Sequence, residues 1–159
     1  MPLFVKKLDK RAIAPTCSHP GEDLGYDLYA LEDMLLLPHV VNKVRTGIAT
    51  EHRRATREFI EDYRGAKFYK HVTDGLLLRD RSSMAAKGIT IVGGVIDAGY
   101  RGEIIVLMVD RAVGVQRIAA GDKIAQMIPI PVLTGEDVVT VEKLSDGARG
   151  ANGFGSTGR

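Results

Sequence analysis

Hydrophobic positions along this chain fall in short Val/Ile/Leu runs, broken at fairly regular intervals by glycine, aspartate or proline. That rhythm predicts a mainly β domain rather than a helical one. Candidate strands are Leu3–Leu8, Asp27–Ala30, Leu35–Val44, Leu76–Arg79, Ile89–Ile96, Glu103–Asp110, Gly114–Ala119, Lys123–Pro131 and Val138–Leu144. Their shortness and the turn residues between them suit a barrel or jelly roll. Ile104 to Val109 is apolar throughout instead of alternating, as in a strand buried on both faces. Sister subunits are one way to cover the second face in a chain of this size.

Two segments depart from the rhythm. In residues 51–74, charges of both signs surround Ala55, Phe59, Ile60 and Tyr63, and Arg54 and Glu58 stand four apart. This spacing predicts a short amphipathic helix inserted between strands. Residues 145–159 are rich in glycine and poor in apolar side chains, so the chain divides into a β domain over 1–144 and a mobile tail. Arg149, Phe154, Ser156 and Thr157 among those glycines suit a phosphate cradle, where glycine lets backbone N–H groups approach oxygens and Arg and hydroxyls add donors. A plain linker has the same composition.

Composition narrows the function classes. With 159 residues and a net charge of +2, the chain suits one domain and implies no bulk-charge attraction to nucleic acid. The single cysteine, Cys17, excludes an internal disulfide, and its neighbours Ser18 and His19 read as loop rather than catalytic partners. Four scattered histidines give no zinc spacing. The first ten residues are too charged for a signal peptide, and no window suits a membrane span. A cytoplasmic protein is expected.

The sharpest chemical feature is Gly94-Val95-Ile96-Asp97-Ala98-Gly99-Tyr100-Arg101-Gly102. A glycine-punctuated turn between apolar runs is a hairpin signal, and it sets a carboxylate three residues before an aromatic ring. Asp97 is a candidate general base beside a ring that can stack, though Asp is also common in ordinary turns. Four further segments join it: Gly25-Tyr26-Asp27-Leu28-Tyr29-Ala30, Arg79-Asp80-Arg81-Ser82-Ser83-Met84, Gly121-Asp122-Lys123-Ile124-Ala125-Gln126 and the tail.

In this order and at these separations, the segments resemble the five motifs of the trimeric deoxyuridine triphosphatases, the dUTPases. The resemblance implies a jelly-roll-like (β-clip) homotrimer that splits dUTP into dUMP and pyrophosphate with Mg²⁺. It assigns Asp27 to Mg²⁺, through coordinated water, and Arg81, Ser82 and Ser83 to phosphate oxygens. Asp97 would deprotonate the attacking water, and Tyr100 would pack under the deoxyribose. Backbone groups of Gly94, Val95, Ile96 and Ile105 would pair with uracil, and Gln126 would reach the phosphates. In the tail, Arg149 would meet the γ-phosphate, Phe154 would stack on the base, and Gly155, Ser156 and Thr157 would wrap the phosphates.

Several positions depart from that pattern. Asp80 and Ser83 stand in the second motif where Pro or Ala and Gly are usual, and Leu24 replaces a small residue in the first. Asp80 would repel a triphosphate unless it points away or pairs with Arg79. The Arg81-Ser82-Ser83 turn also resembles the dCTP deaminases of the same fold. Those enzymes place a Glu where Leu107 stands, and a leucine cannot carry a proton. A non-catalytic nucleotide-binding trimer is the remaining alternative.

Overall fold

A computed structural model of the chain describes residues 3–52, 55–61, 65, 67–134 and 138–146. The protein is all-β in these parts, with a single four-residue helix among the described residues. β1 (Leu3–Lys7) pairs with β5 (Ile48–His52), and β3 (Met34–Leu36) pairs with β11 (Gln116–Ile118). β10 (Ile105–Asp110) lies between β4 (Val41–Arg45) and β8 (Ile89–Val92). The largest sheet runs β2 (Tyr26–Tyr29), β12 (Lys123–Thr134), β7 (Lys67–Arg79), β6 (Ala55–Glu61), with β9 (Val95–Ile96) also on β7. The named ladders are antiparallel.

The core forms where inward positions of these small sheets meet. Leu28, Leu36, Val44, Ile48, Ile89, Ile104, Val106, Met108, Ile124 and Met127 are buried there. Each large aliphatic side chain so placed contributes roughly 1.5–3 kcal/mol. β10 shows how its apolar run is used. Val106, Met108 and Asp110 point inward and are fully buried, while Ile105, Leu107 and Val109 on the other face are only partly covered within one chain.

Three expectations from the sequence are corrected. Residues 51–74 contain no helix among the described positions; they finish β5 and build the β6–β7 hairpin, with Ala55 opposite Thr73 and Glu61 opposite Lys67. The spacing of Ala55, Phe59 and Ile60 suited a helix, but Thr56, Phe59, Ile60, Phe68, Tyr69 and Val72 favour strand. The ladder also sets Glu58 opposite Lys70 and Phe59 opposite Tyr69. The segments Leu35–Val44 and Ile89–Ile96 are each two strands. Residues 37–40 break the first, with His39 at φ +62°, and the Asn42 side chain of β4 ties that turn by accepting from Leu37 N and donating to the carbonyls of Leu37 and Val40. Finally, Val138–Leu144 is not a strand. It is exposed, Val138 fully so at 98%. It has the right residues but no strand partner among the described residues.

Candidate functional site

The hairpin that carries Asp97 is split open, and the split comes from two glycines. β8 and β10 pair as far as Val92 opposite Leu107. At Gly93, with φ +61°, the chain turns away from β10. Gly94 then presses against β7: its carbonyl accepts from Leu78 N at 2.7 Å, and a Cβ on it would lie 2.4 Å from Leu78 O. Only glycine fits there. β9 continues on β7, with Val95 opposite Leu77 and Ile96 opposite Leu76, while the return leg at Ile105 pairs with Arg45 of β4. The two legs therefore diverge around a cleft of about 310 Å³, lined by Gly93, Val95, Ile96, Asp97, Tyr100, Ile105 and Leu107, with Lys43 and Glu103 at its edges. On the side facing the gap, Ile105 has no strand partner among the described pairings. A planar ring with donors and acceptors on its edge can take the place of the missing ladder.

Asp97 stands exposed at the mouth of this cleft. Its carbonyl accepts from Tyr100 N at 2.9 Å and closes the turn. The Tyr100 hydroxyl donates to Glu103 O at 3.0 Å, which lays the ring over Gly102. Arg101 donates to the carbonyls of Ala98 and Tyr100. Glu103 receives both Nε and Nη2 of Arg45 and the backbone N–H of Gly47, so the return leg is fixed to the β4–β5 corner. The ion pair with Glu103 also raises the Arg45 guanidinium above its ordinary value.

A second cluster lies beyond the Arg79 end of β7. Asp27 on β2 is buried, and its two oxygens lie 2.8 Å from Arg81 Nε and 2.8 Å from Lys123 Nζ. The Arg81 contact is an ion pair set off the line of a good hydrogen bond. Arg81 Nη1 also reaches Lys123 O at 3.5 Å. Gln126 faces Asp27 across one ladder and Arg79 across the other. Ser82 and Ser83 open α1 (Ser82–Ala85), both exposed. Two cations on one carboxylate leave a positive surface suited to phosphate oxygens. The hydrogen bond to Asp27 raises Lys123 above the ordinary lysine value. Asp80 does not face this surface: Ile91 N donates to it at 2.6 Å and Thr90 Oγ1 at 3.4 Å, so β8 holds its charge.

Among the described residues, no group of three or more His, Cys, Asp or Glu is placed to hold a metal. Both Asp27 oxygens already carry cationic partners, so the carboxylate is not free to join a cage of protein ligands. That arrangement suits a cation carried by substrate oxygens, not a cage built by the protein.

The two clusters are apart on one chain. β9 runs antiparallel to β7, so extending its register sets Asp97 level with Gly75. From Gly75 to Arg79 is roughly 13 Å of strand at ~3.3 Å per residue, and Arg81 lies beyond. Arg149, Phe154, Gly155, Ser156 and Thr157 lie outside the described residues. Sequence reading missed Arg45, Arg101, Glu103 and Lys123 as parts of these clusters. Lys123 alone had a signal, a cation three residues before Gln126.

Residues 70–158 match the family described as dUTPase. The deoxyuridine 5'-triphosphate nucleotidohydrolase of Picosynechococcus sp. is 38% identical over 161 residues, covering 99% of each chain. That of Gloeothece citriformis is 40% identical, covering 99% of this chain and 97% of its own. The dUTPase of Staphylococcus bacteriophage 80alpha, solved with dUpNHpp, is 27% identical, covers 99% of both chains and has a TM-score of 0.80. The dUTPase of phage phi11 of S. aureus, which coordinates a structural Mg(II) ion, shares the fold at TM-score 0.73 and 23% identity, covering 92% of this chain and all of its own.

Proposed function

Since the chain belongs to the dUTPase family and is a dUTP diphosphatase, we propose that it works as a homotrimer whose active sites lie between copies. The observation that carries this reading is the separation along β7, with Asp97 level with Gly75 and Arg81 beyond Arg79. That separation favours a site in which the base on one copy faces the phosphate cluster of another. The half-covered outer face of β10 supports contact between copies.

Uracil enters the split hairpin and pairs with backbone groups around Gly94, Val95 and Ile96 on one leg and Ile105 on the other. Backbone pairing selects the base. Cytosine brings an amino donor where uracil has a carbonyl, and an N–H aimed there would face another donor. Unpaired polar groups of this kind discriminate by up to about ten-thousand-fold. The Tyr100 ring, fixed by Glu103 O, packs under the deoxyribose and leaves no room for a 2'-hydroxyl.

Asp97 accepts a proton from water as the water oxygen bonds to the α-phosphorus. The bond from that phosphorus to the α,β-bridging oxygen breaks, and pyrophosphate leaves with the electron pair. Arg81, Ser82, Ser83 and Gln126 hold the α- and β-phosphate oxygens. The residues fit Mg²⁺ carried on the triphosphate, with Asp27 reaching it through water; when bound, the ion offsets negative charge on the leaving group. The tail over 145–159 closes the site. Arg149 meets the γ-phosphate, Phe154 covers the base, and Gly155, Ser156 and Thr157 wrap the phosphates, excluding bulk water.

A deaminase of the same fold needs a proton carrier in the cleft. Leu107 lines it instead. Among the described residues, no helix is long and apolar enough to cross a membrane, and the net charge of +2 gives no broad basic surface for nucleic acid. A small anionic substrate in the cytoplasm suits both. The test measures pyrophosphate release from dUTP, dCTP, dTTP and UTP. Rapid release from dUTP alone is expected; ammonia from dCTP, or dUTP bound without turnover, would overturn the assignment.

A further inference from the structure

We propose that Arg101 is a positioning residue for Asp97, acting through the backbone of the turn rather than on substrate. This rests on the reading of Asp97 as the base. The turn Asp97–Tyr100 holds itself by one hydrogen bond, Tyr100 N to Asp97 O. Gly99 sits at its tip with open space around it, so the backbone there has few steric limits. Such a turn can rock, and a displacement of about 1 Å at a reacting group can cost on the order of a hundredfold in rate.

Arg101 supplies the missing restraint. Its Nη1 donates to Ala98 O at 2.8 Å and to Tyr100 O at 2.9 Å. Two carbonyls on either side of Gly99 are thereby tied to one nitrogen. The other terminal nitrogen, Nη2, lies 3.5 Å from Glu51 Oε1 on β5. A planar guanidinium can hold three acceptors in fixed directions, whereas a lysine would offer one flexible point charge. The turn is therefore strapped to β5, a strand bound to β1 and distant in sequence.

The return leg is anchored to the same corner with the opposite polarity. There the turn side supplies the acid, Glu103, and β4 supplies the base, Arg45, in a forked pair. Glu103 fixes where the hairpin returns, and Tyr100 rides on its carbonyl. Arg101 fixes the tip, which carries Asp97. The side chain is half exposed and fills no core space, so its removal leaves the packed sheets intact.

The experiment is a double-mutant cycle on the trimer, with pyrophosphate release and thermal melting as readouts. Arg101→Ala is expected to lower kcat at least about fivefold without lowering the melting temperature by more than ~3 °C. In an Asp97→Asn background, the same substitution is expected to change the residual rate less than about twofold, because the group being positioned is gone. A smaller loss in the single variant, or an equal fractional loss in both backgrounds, overturns the proposal. An undiminished rate in Asp97→Asn alone would instead remove Asp97 as the base. Should Arg101→Ala fail to fold, Glu51→Gln carries the test. A loss of at least about twofold that vanishes in the Asp97→Asn background supports the strap, and no loss overturns it.

Discussion

Gly102 forms the seat of the Tyr100 ring: a Cβ at residue 102 would lie 2.5 Å from the phenolic oxygen and 2.7 Å from Cζ. The ring cannot stay where it is if residue 102 carries a side chain, and moving it breaks the bond to Glu103 O. Gly102→Ala should therefore raise KM for dUTP about tenfold, the scale of one lost positioned contact of ~1.4 kcal/mol. It should also narrow the preference for deoxyribose over ribose. Steady-state kinetics with dUTP and UTP check both. A KM within twofold of the parent would mean that Tyr100 does not carry the sugar.

Asp27 separates two cations, and its loss sets Arg81 and Lys123 against each other. Asp27→Asn should cost roughly 1–3 kcal/mol in denaturant melts, since the carboxylate is buried but its partners reach solvent. It should also lower kcat about tenfold through misplacement of Arg81. The pH dependence has a definite sign. Lys123 is held above its ordinary value of 10.5 by the hydrogen bond to Asp27. A base whose value is raised on folding lends stability that is complete below its unfolded value and fades as pH rises through the folded one. The parent protein should thus lose stability above about pH 10 more steeply than Asp27→Asn does. Parallel alkaline limbs would contradict the pairing.

A site that takes Asp97 from one copy and Arg81 from another makes complementation possible. Homotrimers of Asp97→Asn and of Arg81→Ala should each be nearly inactive, the first by at least ~100-fold. Unfolded together in equal amounts and refolded, they should form mixed trimers in which about one site in four takes both intact residues from different chains. Activity near a quarter of the parent's is expected. If both groups came from one chain, mixing would recover nothing.

How much of this was legible beforehand depends on what each feature rests upon. β8, β10 and β12 announced themselves because their apolar runs are bounded by glycine and aspartate, and local residues suffice to place them. The hairpin at Gly93 and Gly94 was visible as a turn. That its legs part was not, because the parting depends on Leu78, sixteen residues earlier, receiving Gly94. Asp97 and Tyr100 could be picked by type and spacing. Arg45 and Glu103 could not, because they are partners distant in sequence and a lone charge beside a strand reads as solvent-facing. The β6–β7 hairpin was misread because short mixed segments fit periods of 3.6 and 2 about equally. Pairing with β12 along Thr73 to Arg79 decides for strand.

That hairpin gives the last prediction. β6 is the outermost strand of its sheet, and its ladder to β7 runs from Ala55–Thr73 to Glu61–Lys67. The half of β7 that leads to Arg81 is held independently, with Thr73 to Arg79 paired to Val132 to Gln126 of β12. Each residue assigned to the two clusters lies outside the arm. Replacing residues 57–71 with Asn-Gly would join Thr56 to Val72, which face each other, through a two-residue turn of the favoured type. The shortened protein should keep kcat within about twofold and its trimeric state, with a melting temperature lower by a few degrees at most. Sedimentation and pyrophosphate release measure this. A loss beyond about tenfold would mean that the arm of one copy reaches the site of another, because among the described pairings the arm joins the rest of the chain through β7 and β12, and their pairing from Val72 to Arg79 is kept.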